Sequence, residues 1–170
     1  ELPRWAQISK DDPVIFTRLA LFRNIKSTRF PSMLQGSEKA KAAGKLDEAV
    51  RYINDHGFGP FIPYSMESLN EEERNVLSEK GFLPEEGRLL DGNSRLYLNE
   101  DGSLAIRTNV HDHLAFLGFS GGNTVFSLWK RTARLADEAS DILDYACDKE
   151  CGYLTASPQF TGTGRKMVSR

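Results

Sequence analysis

A run of three polar residues, His111-Asp112-His113, combines side chains that can bind metals or move protons. On a strand, residues two apart share a face, so His111 and His113 would lie side by side. With Cys147 and Cys151 they would supply enough ligands for a zinc ion. The cysteine spacing differs from the common Cys-x2-Cys knuckle, and free cysteines are usually buried. The sequence therefore favours two small core residues at the end of a helix over a metal site.

A second group combines glycines with cations. In residues 161–166, backbone N–H groups and the ammonium of Lys166 could cradle a phosphate. The segment lacks the Gly-x4-Gly-Lys-Ser/Thr spacing of a P-loop, so by itself it favours a plain turn. Arg18 and Arg23 could also contact phosphate, although isolated arginines are more often in surface ion pairs. No Ser-His-Asp or Cys-His arrangement stands out from the spacing.

The chain that carries these groups has 170 residues, so we predict a single domain over residues 1–170. Its 22 Lys and Arg residues are balanced by 24 Asp and Glu residues, which predicts no nucleic-acid partner. No apolar run approaches the roughly 18 residues that span a bilayer, and no secretory signal opens the sequence, so we expect no membrane association. Two cysteines are too few for a disulfide framework, which favours a reducing cytoplasm.

Periodicity and turn residues predict the elements that must position these side chains. We expect strands at 14–17 and 152–155, a hairpin at 95–98 and 104–108, and helices at 37–54, 68–80 and 124–150. Gly81 suits the end of the second helix, and Asp101-Gly102 is a turn signal for the hairpin. This order of elements predicts an α+β fold in which helices flank an antiparallel sheet.

Four segments, in matching order and spacing, resemble motifs of the ATP:guanido phosphotransferases, most of all those of the bacterial protein arginine kinases. They are residues 14–24 with 30–31 (VIFTRLALFRN and FP), 73–77 with 81–83 (ERNVL and GFL), 109–114 (NVHDHL) and 152–164 (GYLTASPQFTGTG). The last block is the most specific. The resemblance spans almost the whole chain but only the N-terminal portion of the family's catalytic domain. It therefore implies a guanido kinase catalytic-domain fold with an incomplete sheet.

The resemblance also implies a reaction, the transfer of a phosphoryl group from ATP-Mg to a guanidinium nitrogen. In the family, arginines clamp the phosphates, a glutamate takes the proton and a cysteine thiolate lies against the guanidinium. Carried over by position, the nucleotide-binding residues are Arg18, His113 and Lys166, and the catalytic positions are His111 and Ser157. The second phosphate arginine falls at Ala20, the glutamate pair at Val110 and His111, the arginine after His-Leu at Ala115, and the cysteine at Ser157.

These departures predict that catalysis has been lost. Losing one charge-assisted contact can cost about 3–4 kcal/mol of transition-state stabilisation, and several such groups are changed together. We therefore predict an inactive kinase-like domain that acts as a scaffold, a regulator or a partner of an active arginine kinase. It would bind ATP and Mg only if nucleotide binding is retained. An uncovered sheet edge also favours a homodimer.

Two other functions stay open at this point. In the first, the domain is an active ATP-dependent phosphotransferase acting on arginine guanidinium groups. His111 would then serve as a base near neutral pH and would share one pocket with Asp112, Ser157 and Lys166. In the second, the domain is a zinc-binding module formed by His111, His113 and the two cysteines.

Overall fold

The computed structural model describes residues 16–84, 91–122 and 124–169. Its strands are β1 (Phe16–Arg23), β2 (Ile62–Ser65), β3 (Arg95–Leu98), β4 (Leu104–Thr108), β5 (Leu114–Gly121), β6 (Cys147–Asp148), β7 (Gly152–Tyr153) and β8 (Arg165–Ser169). Its α-helices are α1 (Gly36–Ile53), α2 (Glu71–Glu79) and α3 (Val125–Ser140). Single helical turns of other types cover Pro31–Met33, Asn54–Phe58 and Pro158–Phe160.

Six of the strands form one antiparallel sheet in the order β2-β3-β4-β5-β1-β8. Strand β5 lies near the centre, between β4 and β1, while β8 forms one edge and β2 the other. Strands β6 and β7 pair with each other in a separate ribbon. The predicted class, an antiparallel sheet flanked by helices, is confirmed.

Alternation of side chains along the strands gives the sheet two faces with separate cores. On one face, Leu21 of β1 lies opposite Phe116 of β5, and both are fully buried in the core formed with α1 and α3. On the other face, the neighbouring pair Ala20 and Leu117 packs in a second cluster with Phe82, which follows α2. We call this second side of the sheet the cleft face, because the candidate site lies there.

Local sequence accounts for α1 and α2. The buried residues Leu46, Val50 and Ile53 recur on one face of α1, as the periodicity predicts. Helix α2 begins with a capping box, in which Asn70 and Glu73 each accept a hydrogen bond from the other's backbone amide. Both helices, and the hairpin of β3 and β4, lie within one or a few residues of the predicted ranges.

The helix predicted at 124–150 is wrong over its last third, because α3 ends at Ser140. The chain beyond it pairs with the segment that follows β1 instead. The amide of Lys26 donates to the carbonyl of Asp144 at 2.8 Å, and the amide of Ala146 donates to that of Asn24 at 2.7 Å. These backbone hydrogen bonds replace those that a continuing helix would make within itself.

The end of α3 also corrects the prediction for the cysteines. Cys147 lies in β6 and Cys151 in the turn that joins β6 to β7, and both thiols are free and exposed. Neither residue is on a helix or in a core. The prediction of two small buried residues is therefore wrong.

Four strands, β2, β5, β6 and β8, were not predicted as strands. Strand β5 is a run of apolar residues buried on both faces, so it lacks the alternation that marks a half-exposed strand. The predicted strand at 14–17 overlaps the start of β1, which continues to Arg23, while residues 14 and 15 lie outside the described ranges. The predicted strand at 152–155 is shortened to β7.

Candidate functional site

A cleft of about 410 Å³ opens on the cleft face, between the sheet, the end of α2 and the segment that follows β7. Arg18, His111, Asp112, Ser157 and Lys166 all line it, although they are widely separated in sequence. The last four are the residues that the active-enzyme alternative requires in one pocket. The fold therefore assembles side chains that the motif resemblance picked out one by one.

Arg18 reaches the cleft from near the start of β1 and lies against Gly81, which follows the end of α2. A Cβ atom built on Gly81 would collide with the guanidinium of Arg18. Gly81 also has a φ of +81°, which glycine adopts without strain. The end of α2 is thus shaped to receive this cation.

Lys166 enters the cleft from the edge strand β8, where it lies opposite Ala20 of β1. Its ammonium is 5.7 Å from the ring centroid of Phe160. Phe160 in turn stacks on Phe22 with a centroid distance of 5.2 Å. These aromatic rings form an apolar wall beside the charged end of the cleft.

Arg107 of β4 is a cleft residue that the sequence analysis missed. It is 8% exposed, and its Nη1 donates to the carbonyl oxygen of Phe82 at 3.1 Å. Burial lowers its pKa to about 10, the nearby Asp112 carboxylate raises it, and the like charge of Arg18 lowers it further. The available signal was an arginine that directly follows three apolar residues in the predicted hairpin.

Asp112 is a structural anchor of the cleft wall. Its Oδ1 accepts hydrogen bonds from the Asn24 side chain at 2.6 Å and from the Ala156 amide at 2.7 Å. Asn24 also donates to the carbonyl oxygen of Leu154 at 3.0 Å. Burial raises the pKa of Asp112, and these two hydrogen bonds act against that shift. Together the contacts fasten the segment that carries Ser157 to the end of β1.

His113 does not line the cleft. Its side chain is fully buried, and its Nδ1 lies 2.9 Å from Oδ1 of Asn24, to which the tautomer protonated at Nδ1 donates. Its Nε2 is buried with no hydrogen-bond partner among the described residues. Burial lowers the pKa of His113 to about 4, so the ring is neutral at physiological pH.

Arg23 and the Gly-Thr-Gly segment are also structural. The Arg23 guanidinium lies 3.6 Å from the ring centroid of Tyr153 and donates to the carbonyls of Phe22 and Thr163. It is therefore neither in a surface ion pair nor on the cleft. The amide of Gly162 donates to the carbonyl of Tyr153, so it is engaged within the protein and does not face the cleft.

Most of the family positions that have lost their charge also lie on or beside the cleft face. Ala20 lines the cleft, while Ala115 is 3% exposed beneath it, packed in the second cluster. Val110 is buried as well. His111 and Ser157 line the cleft at the positions of the glutamate and the cysteine.

Phosphate groups fit the side chains of the cleft better than a metal ion does. Arg18, Arg107 and Lys166 provide three cations, whereas Asp112 is the one carboxylate among its described lining residues. In the described ranges, no three His, Cys, Asp or Glu side chains are grouped so that they could hold a metal ion. The zinc alternative, which needs His113 and the exposed Cys147 to meet, gains no support from this geometry.

Comparison with known proteins gives consistent matches. A family model described as ATP:guanido phosphotransferase, C-terminal catalytic domain, matches residues 38–168. The chain is 30% identical over 158 residues to a protein-arginine kinase of Moorella thermoacetica and 30% identical over 169 residues to one of Clostridium acetobutylicum. These matches cover 90% and 95% of this chain but 44% and 47% of the relatives. The chain thus spans less than half the length of these relatives.

Solved structures match the fold. The duplicated taurocyamine kinase from Schistosoma mansoni with bound transition state analog components matches with a TM-score of 0.81 and 18% identity, over 99% of this chain and 25% of that one. A lombricine kinase matches with a TM-score of 0.74 and 19% identity, over 96% of this chain and 48% of that one. Within the described residues, no helix is long and apolar enough to cross a membrane. By its motifs, its fold and the matching family model, this chain belongs to the ATP:guanido phosphotransferase family, and it matches the C-terminal catalytic domain of that family.

Proposed function

We propose that this chain is a guanido-kinase-like domain that no longer transfers phosphoryl groups and serves as a scaffold or regulatory partner. The partner would be an active arginine kinase or a second copy of the chain. The observation that carries the proposal is the composition of the cleft. The family framework encloses it, but Ala20, His111 and Ser157 stand where an arginine, a glutamate and a cysteine are expected.

The chemistry of these side chains supports the loss of catalysis. A neutral imidazole at His111 offers one acceptor and, once protonated, repels a guanidinium, so it cannot replace a bidentate carboxylate. Ser157 is not a thiolate and carries no charge at neutral pH. Asp112 is the remaining carboxylate in the described cleft lining, and its Oδ1 already holds Asn24 and Ala156. The described side chains at the family's catalytic positions, His111 and Ser157, thus supply neither the carboxylate nor the thiolate of the family reaction.

Nucleotide binding is a separate property that the cleft favours. Arg18 and Lys166 lie on the same cleft and would contact the phosphates of ATP, which would bring Mg with it. His113 is enclosed behind the cleft wall and would support its shape without touching a nucleotide. The two exposed free thiols suit a reducing compartment, and we place the protein in the cytoplasm on that basis.

Incubation with ATP-Mg, free arginine and an arginine-rich protein tests the loss of transfer. We expect no acid-labile phosphoarginine, while an active protein-arginine kinase assayed in parallel should produce it. Robust phosphoarginine from this chain would overturn the proposal. A His111→Ala variant would then test the active-enzyme alternative, because a base at His111 requires that its removal abolish turnover.

The partner role needs its own measurement. Among the described strands, β8 forms an edge of the sheet and exposes Met167, so its outer backbone groups have no described strand beside them and could pair with another chain. We expect light scattering to detect a dimer, or pull-down with a purified arginine kinase to detect a complex. A strictly monomeric chain that binds no such kinase would overturn the scaffold role without affecting the conclusion on catalysis.

A further inference from the structure

Arg107 is a buried cation whose hydrogen bonds are incomplete. It is 8% exposed, and its buried Nε has no hydrogen-bond partner among the described residues. Among the described residues, the one ion pair joins Lys39 to Asp91. No described carboxylate lies close enough to Arg107 to form another ion pair. Burying a guanidinium in this way is costly unless an anion approaches it.

The surroundings of Arg107 attract anions. Arg18 and Lys166 line the same cleft, and Asp112, the one carboxylate in its described lining, is already bonded to Asn24 and Ala156. Burial lowers the pKa of Arg107 to about 10, which leaves it charged at neutral pH. Among the described lining residues, three cations thus face one carboxylate in a partly enclosed space, where charges are poorly screened by water.

The position of Arg107 explains why its charge is useful here. In the antiparallel pairing of β4 and β5, Arg107 lies directly opposite Ala115, so their side chains emerge on the same face. Ala115 is the position where the family motif has an arginine. Because side chains of such opposed pairs start about 5 Å apart, a side chain at position 107 is long enough to reach the space that an arginine at position 115 would occupy.

We infer that Arg107 is an anion ligand of the cleft, where its guanidinium meets the oxygens of a di- or triphosphate chain in place of the arginine missing at Ala115. The inference deepens the proposed function and rests on it in one respect: the cleft keeps a ligand after losing the transfer reaction. The shared chemistry is two or more linked phosphate groups. They could belong to a nucleotide or to inorganic pyrophosphate.

Calorimetric titration tests the inference with ADP, inorganic pyrophosphate and adenosine at fixed ionic strength. We expect the protein to bind ADP and pyrophosphate, and to bind adenosine far more weakly than either. Arg107→Met should lower the affinity for ADP and pyrophosphate about ten- to a hundred-fold, because charge-assisted hydrogen bonds are lost. Arg107→Lys should lie between the two, because it keeps the charge but not the planar fork.

Two further variants separate ligation from structure. Arg131→Met is the matched control, because it removes the same charge from α3. Arg131 donates to the Ser103 hydroxyl at 2.8 Å and is not among the lining residues of the cleft. The affinity for ADP and pyrophosphate should therefore stay within about twofold of the wild-type value. In the Arg107→Met background, Ala115→Arg should restore part of the lost affinity. Circular dichroism and thermal unfolding verify that each variant is folded.

Each outcome decides the inference. A loss of affinity in Arg107→Met for ADP alone supports it with a nucleotide as ligand, and a loss for pyrophosphate as well supports it for phosphate chains in general. A folded Arg107→Met protein with unchanged affinity overturns it, as does a wild-type protein that binds neither probe. Phosphoarginine formation would overturn the loss of catalysis and leave the role of Arg107 standing, so the two failures are distinguishable.

Discussion

The guanidinium of Arg18 occupies the space into which a side chain on Gly81 would project. This relationship joins the first strand to the end of α2. Gly81 also has a φ of +81°. A glycine at this position therefore permits both the turn after α2 and the close approach of the Arg18 side chain.

Replacing Gly81 by alanine should therefore destabilise the protein. We expect the free energy of unfolding to fall by about 1–2 kcal/mol, from the strained φ and the displaced Arg18 side chain. Urea unfolding measures the change. Gly44→Ala is the matched control, because Gly44 lies inside α1 with nothing near its missing Cβ, and it should stabilise the protein by about 0.5–1 kcal/mol. A similar gain at both sites would contradict the role given to Gly81.

The anchor at Asp112 should be needed for both stability and the shape of the cleft. Asp112→Ala leaves the Asn24 side chain and the Ala156 amide without their acceptor, and should cost about 2–4 kcal/mol in urea unfolding. Hydrogen exchange at Ala156 should accelerate at the same time. Asp112→Asn keeps an acceptor oxygen of the same shape and should lose clearly less. Equal losses in the two variants would show that the acceptor is not what matters.

Buried His113 should make the protein sensitive to acid. Its pKa is about 4 in the folded protein, against about 6.5 when unfolded, so the unfolded state binds more protons between those values. Stability contributed by the neutral ring is present above pH 6.5 and is lost as the pH falls toward 4, by about 3 kcal/mol in all.

Urea unfolding at a series of pH values measures this loss. Burial raises the pKa of Asp112, which therefore titrates in the opposite sense and offsets part of the slope. His113→Asn removes the titrating ring and should flatten the curve between pH 4 and 6.5. If the variant keeps the full wild-type slope, another group is responsible.

The ring of Tyr153 should stabilise the buried Arg23. The guanidinium carbon lies 3.6 Å from the ring centroid, and the same guanidinium holds the carbonyl of Thr163 in the following loop. Tyr153→Leu should lower the thermal stability by the equivalent of about 1–2 kcal/mol, since a cation–π contact of a desolvated arginine is lost. Tyr153→Phe keeps the ring face and should lose little. A phenylalanine variant as unstable as the leucine variant would assign the effect to the hydroxyl instead.

The elements that could be predicted are those with one buried side. Helix α1 and the hairpin of β3 and β4 each show a local period or a turn signal, and both agree with the structure. Strand β5 was not predictable in this way, because burial on both faces removes its alternation. The end of α3 depended on backbone pairing with the chain after β1, which no local pattern records.

The candidate site was predictable only through motifs. Composition and charge carry no trace of it, whereas the family resemblance selected Arg18, His111, Ser157 and Lys166, which the fold brings to one cleft. Arg107 lies outside the motifs that carry the resemblance. That Arg107 lies opposite Ala115 became apparent only from the register of β4 and β5. A substitution on one strand can thus be matched by a neighbour that is close in space and distant in sequence.

Adjacent residues of β1 have different surroundings. Ala20 looks into the cleft, whereas Leu21, the next residue, is sealed beneath the two long helices. The same separation holds along β5, where Leu117 and Phe116 belong to different cores. A substitution that changes the chemistry of the cleft face can consequently leave the packing beneath the two long helices untouched.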